Sequence, residues 1–224
     1  MLFLHGYLAC KETFTYQIEY FSKYMRVVAI DMPGFGKSEK LPYPYSVSDY
    51  ASCVRKVIDE LNVKKLDILA HSFGARVAVK LAAAEPRINK IVLTGAAGLK
   101  QLRSPLFYIK KSIFSVLKHF IAREKLKKFY SSDYRNLSPV MKGSFKKIIG
   151  EDLKEYYKKL NNKTLLIFGT KDKKTTPHTG KRMKKLIKNS RLILLRGAGH
   201  FCFIDRKFEF NEAVKDFLIA ENDL

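Results

Sequence analysis

Between residues 66 and 84 an apolar, strand-like run gives way to a helical one across a single serine, and few architectures accommodate so abrupt a change. The stretch Ile68-Leu69-Ala70-His71-Ser72-Phe73-Gly74-Ala75 leaves no room for a loop. A strand that feeds straight into a helix holds its corner residue in a strained backbone conformation, and the residues two positions to either side must be small for the chain to fold back. Ala70 and Gly74 meet that demand. The corner lifts the Ser72 hydroxyl above the C-terminal end of a sheet. The amides that follow, Phe73 first, open a helix, where backbone N–H groups lack partners. Ser72 is therefore a candidate nucleophile and the Phe73 amide a candidate oxyanion donor. Taken alone, the octapeptide also fits a chance match, because the first small position holds alanine instead of glycine.

The remainder of the chain supplies a base and an acid at equivalent places. Residues 164–168 read as a buried strand, and Gly169-Thr170-Lys171-Asp172 sets a carboxylate just beyond its C-terminal end. Residues 192–195 form another such run, which leads into Gly197-Ala198-Gly199-His200. A lone aspartate in such a turn is ordinarily turn chemistry, and a lone histidine is ordinarily a satisfied core or surface group. Three strand ends in the order Ser72, Asp172, His200 are a more specific signal. Further strand-like runs at 27–30, 66–70 and 91–94 alternate with amphipathic segments at 13–24, 48–61, 74–84, 180–188 and 208–219, and Pro86 ends the third of these. The alternation predicts the α/β class, a mostly parallel sheet covered by helices on both faces.

These residues resemble the α/β-hydrolase superfamily, in its cap-bearing esterase and carbon–carbon hydrolase branch, and the likeness spans nearly the whole chain. Leu2-Phe3-Leu4-His5-Gly6 resembles the family's His-Gly oxyanion loop, and Asp31-Met32-Pro33-Gly34-Phe35-Gly36-Lys37-Ser38 is similar to its Asp-x-x-Gly-x-Gly-x-Ser turn. The resemblance implies a Ser72-His200-Asp172 triad, with backbone N–H groups of Tyr7 and Phe73 as the oxyanion hole. The Asp31 segment reads as structural. Although Gly36-Lys37-Ser38 ends like a phosphate loop, Asp31 stands where that loop needs its earlier glycine. The family carries two further strands before the His-Gly loop, whereas Met1 stands four residues ahead of His5. The expectation is a truncated product or an incorrectly assigned start, with the 27–30 strand left with an exposed apolar edge. Leu8 stands where many relatives carry glycine.

Residues 99–160 have helical periodicity without a convincing strand, and the resemblance places a small helical cap there, after the sixth family strand. The division is then 1–98 and 161–224 for the two parts of one core, with 99–160 as cap. Leu106, Ile109, Ile113, Phe114, Val116, Leu117, Phe120 and Ile121 trace an apolar stripe, and Ser131-Ser132-Asp133 and Ser138-Pro139 are helix-start signals. Candidate walls of the substrate pocket are His5, His71, Phe107, Tyr108, Phe114, Tyr130, Tyr134, Met141 and Phe145. His71 reads chiefly as a packing or hydrogen-bonding residue.

With 224 residues, 46% of them hydrophobic, the chain can bury the core of one enzyme-sized domain, without internal repeat or linker. The formal charge of +22 is uneven: residues 99–191 hold 26 Lys and Arg against 6 Asp and Glu. Such a surface can steer an anionic substrate or associate weakly with an anionic membrane, and a lysine-rich solvated surface is the plainer reading. No motif specific to nucleic acid is present. Cys10, Cys53 and Cys202 form no disulfide framework, and Cys10 lacks a lipoprotein leader, so a cytoplasmic location is expected. The five histidines lack the spacing of a zinc site, and neither metal nor cofactor is expected. The favoured function is a serine hydrolase acting through an acyl-enzyme on a small or medium carboxylic ester, its partner a small-molecule acyl substrate. Carbon–carbon bond hydrolysis of a ring-cleavage dienoate uses a similar triad and cap. A catalytically silent, basic-faced binding protein is the non-enzymatic alternative.

Overall fold

The computed structural model describes residues 1–100, 134 and 136–219. Among these, six strands form one sheet: β1 (Leu2–Leu4), β2 (Val28–Ile30), β3 (Leu66–His71), β4 (Ile88–Thr94), β5 (Thr164–Gly169) and β6 (Ser190–Leu195). Their order is β2-β1-β3-β4-β5-β6, and every neighbouring pair is parallel. The helices are α1 (Thr15–Phe21), α2 (Val47–Glu60), α3 (Phe73–Ala82), α4 (Pro139–Gly150), α5 (Lys154–Lys159), α6 (Pro177–Leu186), α7 (Cys202–Asp205) and α8 (Lys207–Ile219).

Successive strand residues face opposite sides of a sheet, so an uninterrupted apolar strand requires cover on both. On one side Leu2, Leu4, Ile68, Ala70, Ile91, Leu93, Leu166 and Phe168 pack with Val54 and Ile58 of α2, Val77 and Leu81 of α3, Tyr157 of α5 and Met183 of α6. On the other, Phe3, Leu69, Val92, Leu165 and Ile167 meet Phe21 of α1, Phe203 of α7 and Phe210, Val214 and Leu218 of α8. Each such buried side chain contributes about 1.5–3 kcal/mol. The sheet is thereby a rigid platform whose C-terminal rim carries the loops of interest. β2 has β1 on one side and no strand among the described residues on the other, and Val28, Ala29 and Ile30 are each half-buried.

Local chemistry explains where the helices begin. Ser46 caps α2, its hydroxyl accepting from the Asp49 amide while the Asp49 carboxylate accepts from the Ser46 amide at 2.7 Å. Ser138 caps α4 in the same way, accepting from the Met141 amide at 3.2 Å, with Pro139 at the first helical position. α5 falls inside the segment expected to be cap, yet its Tyr157 is buried in the core and donates its hydroxyl to the Ala97 carbonyl at 2.6 Å. That helix covers the sheet beside α3. The 106–121 stripe and the 131–133 start signal lie outside the described residues. No helix of the described residues is long and apolar enough to cross a membrane.

Candidate active site

Ser72 occupies the corner between β3 and α3 with φ 50° and ψ −105°, a strained conformation for a residue with a Cβ. Its amide donates to the Thr94 carbonyl at 3.0 Å and its carbonyl accepts from the Ala97 amide at 3.2 Å, so the end of β4 and the loop after it hold the corner from both sides. Gly74 is required by close approach. A Cβ there would lie 2.2 Å from the Leu4 carbonyl oxygen, which would push α3 away from β1.

His200 follows the Gly197-Ala198-Gly199 turn after β6, and its Nε2 lies 3.1 Å from Ser72 Oγ. Its Nδ1 is 2.7 Å from Oδ2 of Asp172, which sits beyond β5 with its side chain fully buried. The carboxylate only accepts, so Nδ1 carries the proton and Nε2 presents a lone pair to the serine. The second carboxylate oxygen accepts the amides of Lys174 and Thr175 at 2.7 and 3.0 Å, and the Thr175 hydroxyl lies 2.8 Å from Oδ2. Burial works to raise the Asp172 pKa. The hydrogen bond and charge of His200, with the Thr175 bonds, outweigh it and hold the carboxyl below its ordinary value. Thr175 escaped the sequence reading, although a threonine three residues after a turn aspartate is a recognisable signal.

A cavity of about 320 Å³ opens over Ser72 and His200. His71, Tyr134 and Phe145, expected at the pocket, line it, as does Tyr7, expected as an oxyanion donor, and Leu8, Leu137, Lys174 and Phe201 join them without having been foreseen. A larger groove of about 630 Å³ lies around Met1, Arg26, Leu66 and Asp67, at the opposite end of the strands, and holds none of the three groups.

Tyr7 follows His5-Gly6 at the end of β1, and the Phe73 amide is the first of α3, where no intrahelical partner exists. Phe73 directly follows Ser72 in the chain, and Tyr7 lines the same cavity as the serine. The Tyr7 hydroxyl donates to the Met141 carbonyl at 2.9 Å and its ring meets Phe145 at 5.2 Å, which ties this loop to α4. Leu8 next to it has φ 58°, so the site normally taken by glycine is here a left-handed leucine.

Two expected pocket residues sit elsewhere. His5 is fully buried and lies behind the cavity wall: its Nδ1 donates to the Gly6 carbonyl at 2.7 Å and its Nε2 accepts from the Met32 amide at 2.9 Å. Burial lowers its pKa more than the Gly6 carbonyl and nearby carboxylates raise it. A histidine with both nitrogens committed has none left for substrate, and this one joins β1 to the Asp31 turn. Met141 packs its sulfur against Gly34. Phe107, Tyr108, Phe114 and Tyr130 lie outside the described residues.

Cys10, Glu12 and Asp31 bring potential metal ligands within 4.8 Å of one another. The Asp31 oxygens are already taken by the Lys11 amide at 2.8 Å, the Lys37 amide at 3.0 Å and the Lys11 ammonium at 3.0 Å, so this is an ion-paired turn.

Comparison with known proteins places the fold. The uncharacterized hydrolase YugF of Bacillus subtilis (strain 168) is 25% identical over 96% of this chain and 88% of its own. A 2-hydroxy-6-oxononadienedioate/2-hydroxy-6-oxononatrienedioate hydrolase of Pseudomonas putida is 29% identical over 86% of this chain and 77% of its own. Among solved structures, an esterase from Exiguobacterium antarcticum superposes with a TM-score of 0.76 at 24% identity, covering 96% of this chain and 90% of that one. The model of the alpha/beta hydrolase fold family matches residues 1–120 and 96–207, and with a parallel sheet of the kind described the chain belongs to that family.

Proposed function

We propose that the protein is a serine hydrolase that cleaves a small or medium carboxylic ester through an acyl-enzyme on Ser72. The observation that carries this reading is the unbroken relay from Ser72 Oγ to His200 Nε2 at 3.1 Å and from His200 Nδ1 to Asp172 Oδ2 at 2.7 Å. A free hydroxyl is a weak nucleophile near neutrality, so His200 takes the serine proton as Oγ attacks the ester carbonyl. The negative charge that develops on the carbonyl oxygen meets the amides of Tyr7 and Phe73, each worth about 3–4 kcal/mol to the transition state. His200 then returns the proton to the departing alkoxide. Water repeats the cycle on the acyl-enzyme, releasing the acid and restoring the serine hydroxyl. Asp172 keeps its negative charge throughout and stabilises the imidazolium.

A second reading is hydrolysis of a carbon–carbon bond in a ring-cleavage dienoate. Its support is the Pseudomonas putida relative, whose substrates are dienedioates and trienedioates by name, together with the cationic Lys174 on the cavity wall. Product analysis separates the two: acyl esters of increasing chain length and a dienoate are offered to the wild type and to Ser72→Ala. The ester reading predicts acid and alcohol from short to medium esters and no turnover by the variant. Cleavage of the dienoate alone would establish the second reading. Hydrolysis that survives in Ser72→Ala at the wild-type rate would exclude both.

A further inference from the structure

His71 is a buried titratable group at the reaction centre to which the relay assigns no task. Its residue is 1% exposed, yet its ring borders the cavity beside the nucleophile. Nε2 lies 3.1 Å from the backbone carbonyl oxygen of His200. A carbonyl only accepts, so Nε2 carries the proton and the tautomer is fixed. Nδ1 is left as a lone pair with no hydrogen-bond partner among the described residues. That edge of the ring abuts Gly6: a Cβ built on Gly6 would stand 2.8 Å from Nδ1. The faces of the ring are equally occupied, with the His200 imidazole at 4.7 Å between centroids and the rings of Phe201 and Phe203 at 5.0 Å each.

One side chain thus touches three parts that must keep register. It is covalently next to Ser72, it packs on the bare Cα of the loop that carries the Tyr7 amide, and it donates to the backbone of the base. Building on the serine-hydrolase reading, we propose that His71 is a positioning residue, a neutral spacer whose Nε2–H holds the His200 main chain at the distance from Ser72 that proton transfer needs. The glycine of the His-Gly motif has its reason in the same contact, since any side chain at Gly6 would displace the spacer. Neutrality is built in. Burial, and after it repulsion from His200, lowers the His71 pKa to about 3, so this imidazole stays uncharged while its neighbour gains and loses a proton. A charged ring 4.7 Å from the catalytic imidazole would oppose the imidazolium formed in each half-reaction.

The role predicts a split between rate and binding that a purely structural role would not give. His71→Leu removes the donor, whereas His71→Gln places an amide N–H at nearly the same reach as the imidazole Nε2. With activity expressed per folded site, counted by exhaustive fluorophosphonate labelling, His71→Leu should lower kcat by about 10- to 100-fold, the scale of a misplaced catalytic group, and change KM less than about threefold. His71→Gln should recover most of that loss. If His71→Leu does not fold, as shown by circular dichroism, His71→Ala takes its place in the comparison. A donor-free variant with a kcat within twofold of wild type overturns the proposal, and so does a glutamine variant as impaired as the donor-free one. A wild type that neither labels at Ser72 nor hydrolyses ester or dienoate would instead overturn the functional reading, and this inference with it.

Discussion

Two buried carboxylates, Asp31 and Asp172, show how the same residue type is set to different work by its partners. Asp31 is held by two backbone amides and a lysine. Burial would raise its pKa, but the Lys37 and Lys11 amides and the Lys11 ammonium lower it to about 2. A carboxyl depressed on folding stabilises the native state above its unfolded value of about 3.9, and the contribution fades as pH falls from there through about 2. Asp31→Asn should therefore cost about 2 kcal/mol in urea unfolding at neutral pH, with the gap to wild type closing as the acid is titrated in. A gap that stays constant down to pH 2 would contradict the ion-paired turn. Asp172 also accepts two backbone amides, but an imidazole and the Thr175 hydroxyl stand where Asp31 has a lysine. Removing the hydroxyl with Thr175→Val takes away one hydrogen bond to a charged acceptor, about 1.5 kcal/mol, so kcat should drop about tenfold with KM nearly unchanged. Ser72, Asp172 and His200 were legible as candidates because each lies at or just beyond the C-terminal end of an apolar strand run. Thr175 meets Asp172 within a single turn and was readable there, whereas the partner of His71, the His200 carbonyl, was not, because only the fold brings those two loops together.

The strands could be read because a buried parallel sheet demands continuous apolar runs, and their ends were misjudged where a polar residue is satisfied from afar. β4 starts at Ile88, not at residue 91, because Lys90, 6% exposed, donates its ammonium to the Phe217 and Leu218 carbonyls of α8 at 3.1 and 3.0 Å. That lysine is a tie between sheet and helix. The helical segment expected at 13–24 begins as a 3₁₀ turn, Lys11–Phe14, and continues as α1, while α6 starts three residues early, at Pro177. Periodicity locates a helix face, whereas caps and proline fix its start. At the nucleophile corner, element packing is decided by one hydrogen atom: Gly74→Ala would drive a methyl group into the Leu4 carbonyl. We expect a loss of about 3 kcal/mol in unfolding free energy and a matching fall in activity. A variant as stable and active as wild type would mean that α3 can retreat from β1 without disturbing Ser72.

At the scale of the whole molecule, a charge of +22 on 224 residues is a standing self-repulsion, concentrated in residues 99–191. Raising sodium chloride from about 10 mM to about 0.5 M shortens the Debye length from about 30 Å to under 5 Å and should shift the urea midpoint upward. A midpoint that falls with salt would show that exposed ion pairs, not repulsion, dominate the surface. The sheet brings together three side chains from distant parts of the chain, and their meeting should make Ser72 reactive. Intact-mass analysis after treatment with a fluorophosphonate, followed by peptide mapping, tests it most directly. One phosphonyl adduct per chain is expected, located on Ser72, formed rapidly by the wild type, slowly by His200→Ala and not at all by Ser72→Ala. Folded wild-type protein that stays unmodified, or an adduct on another residue, would contradict it.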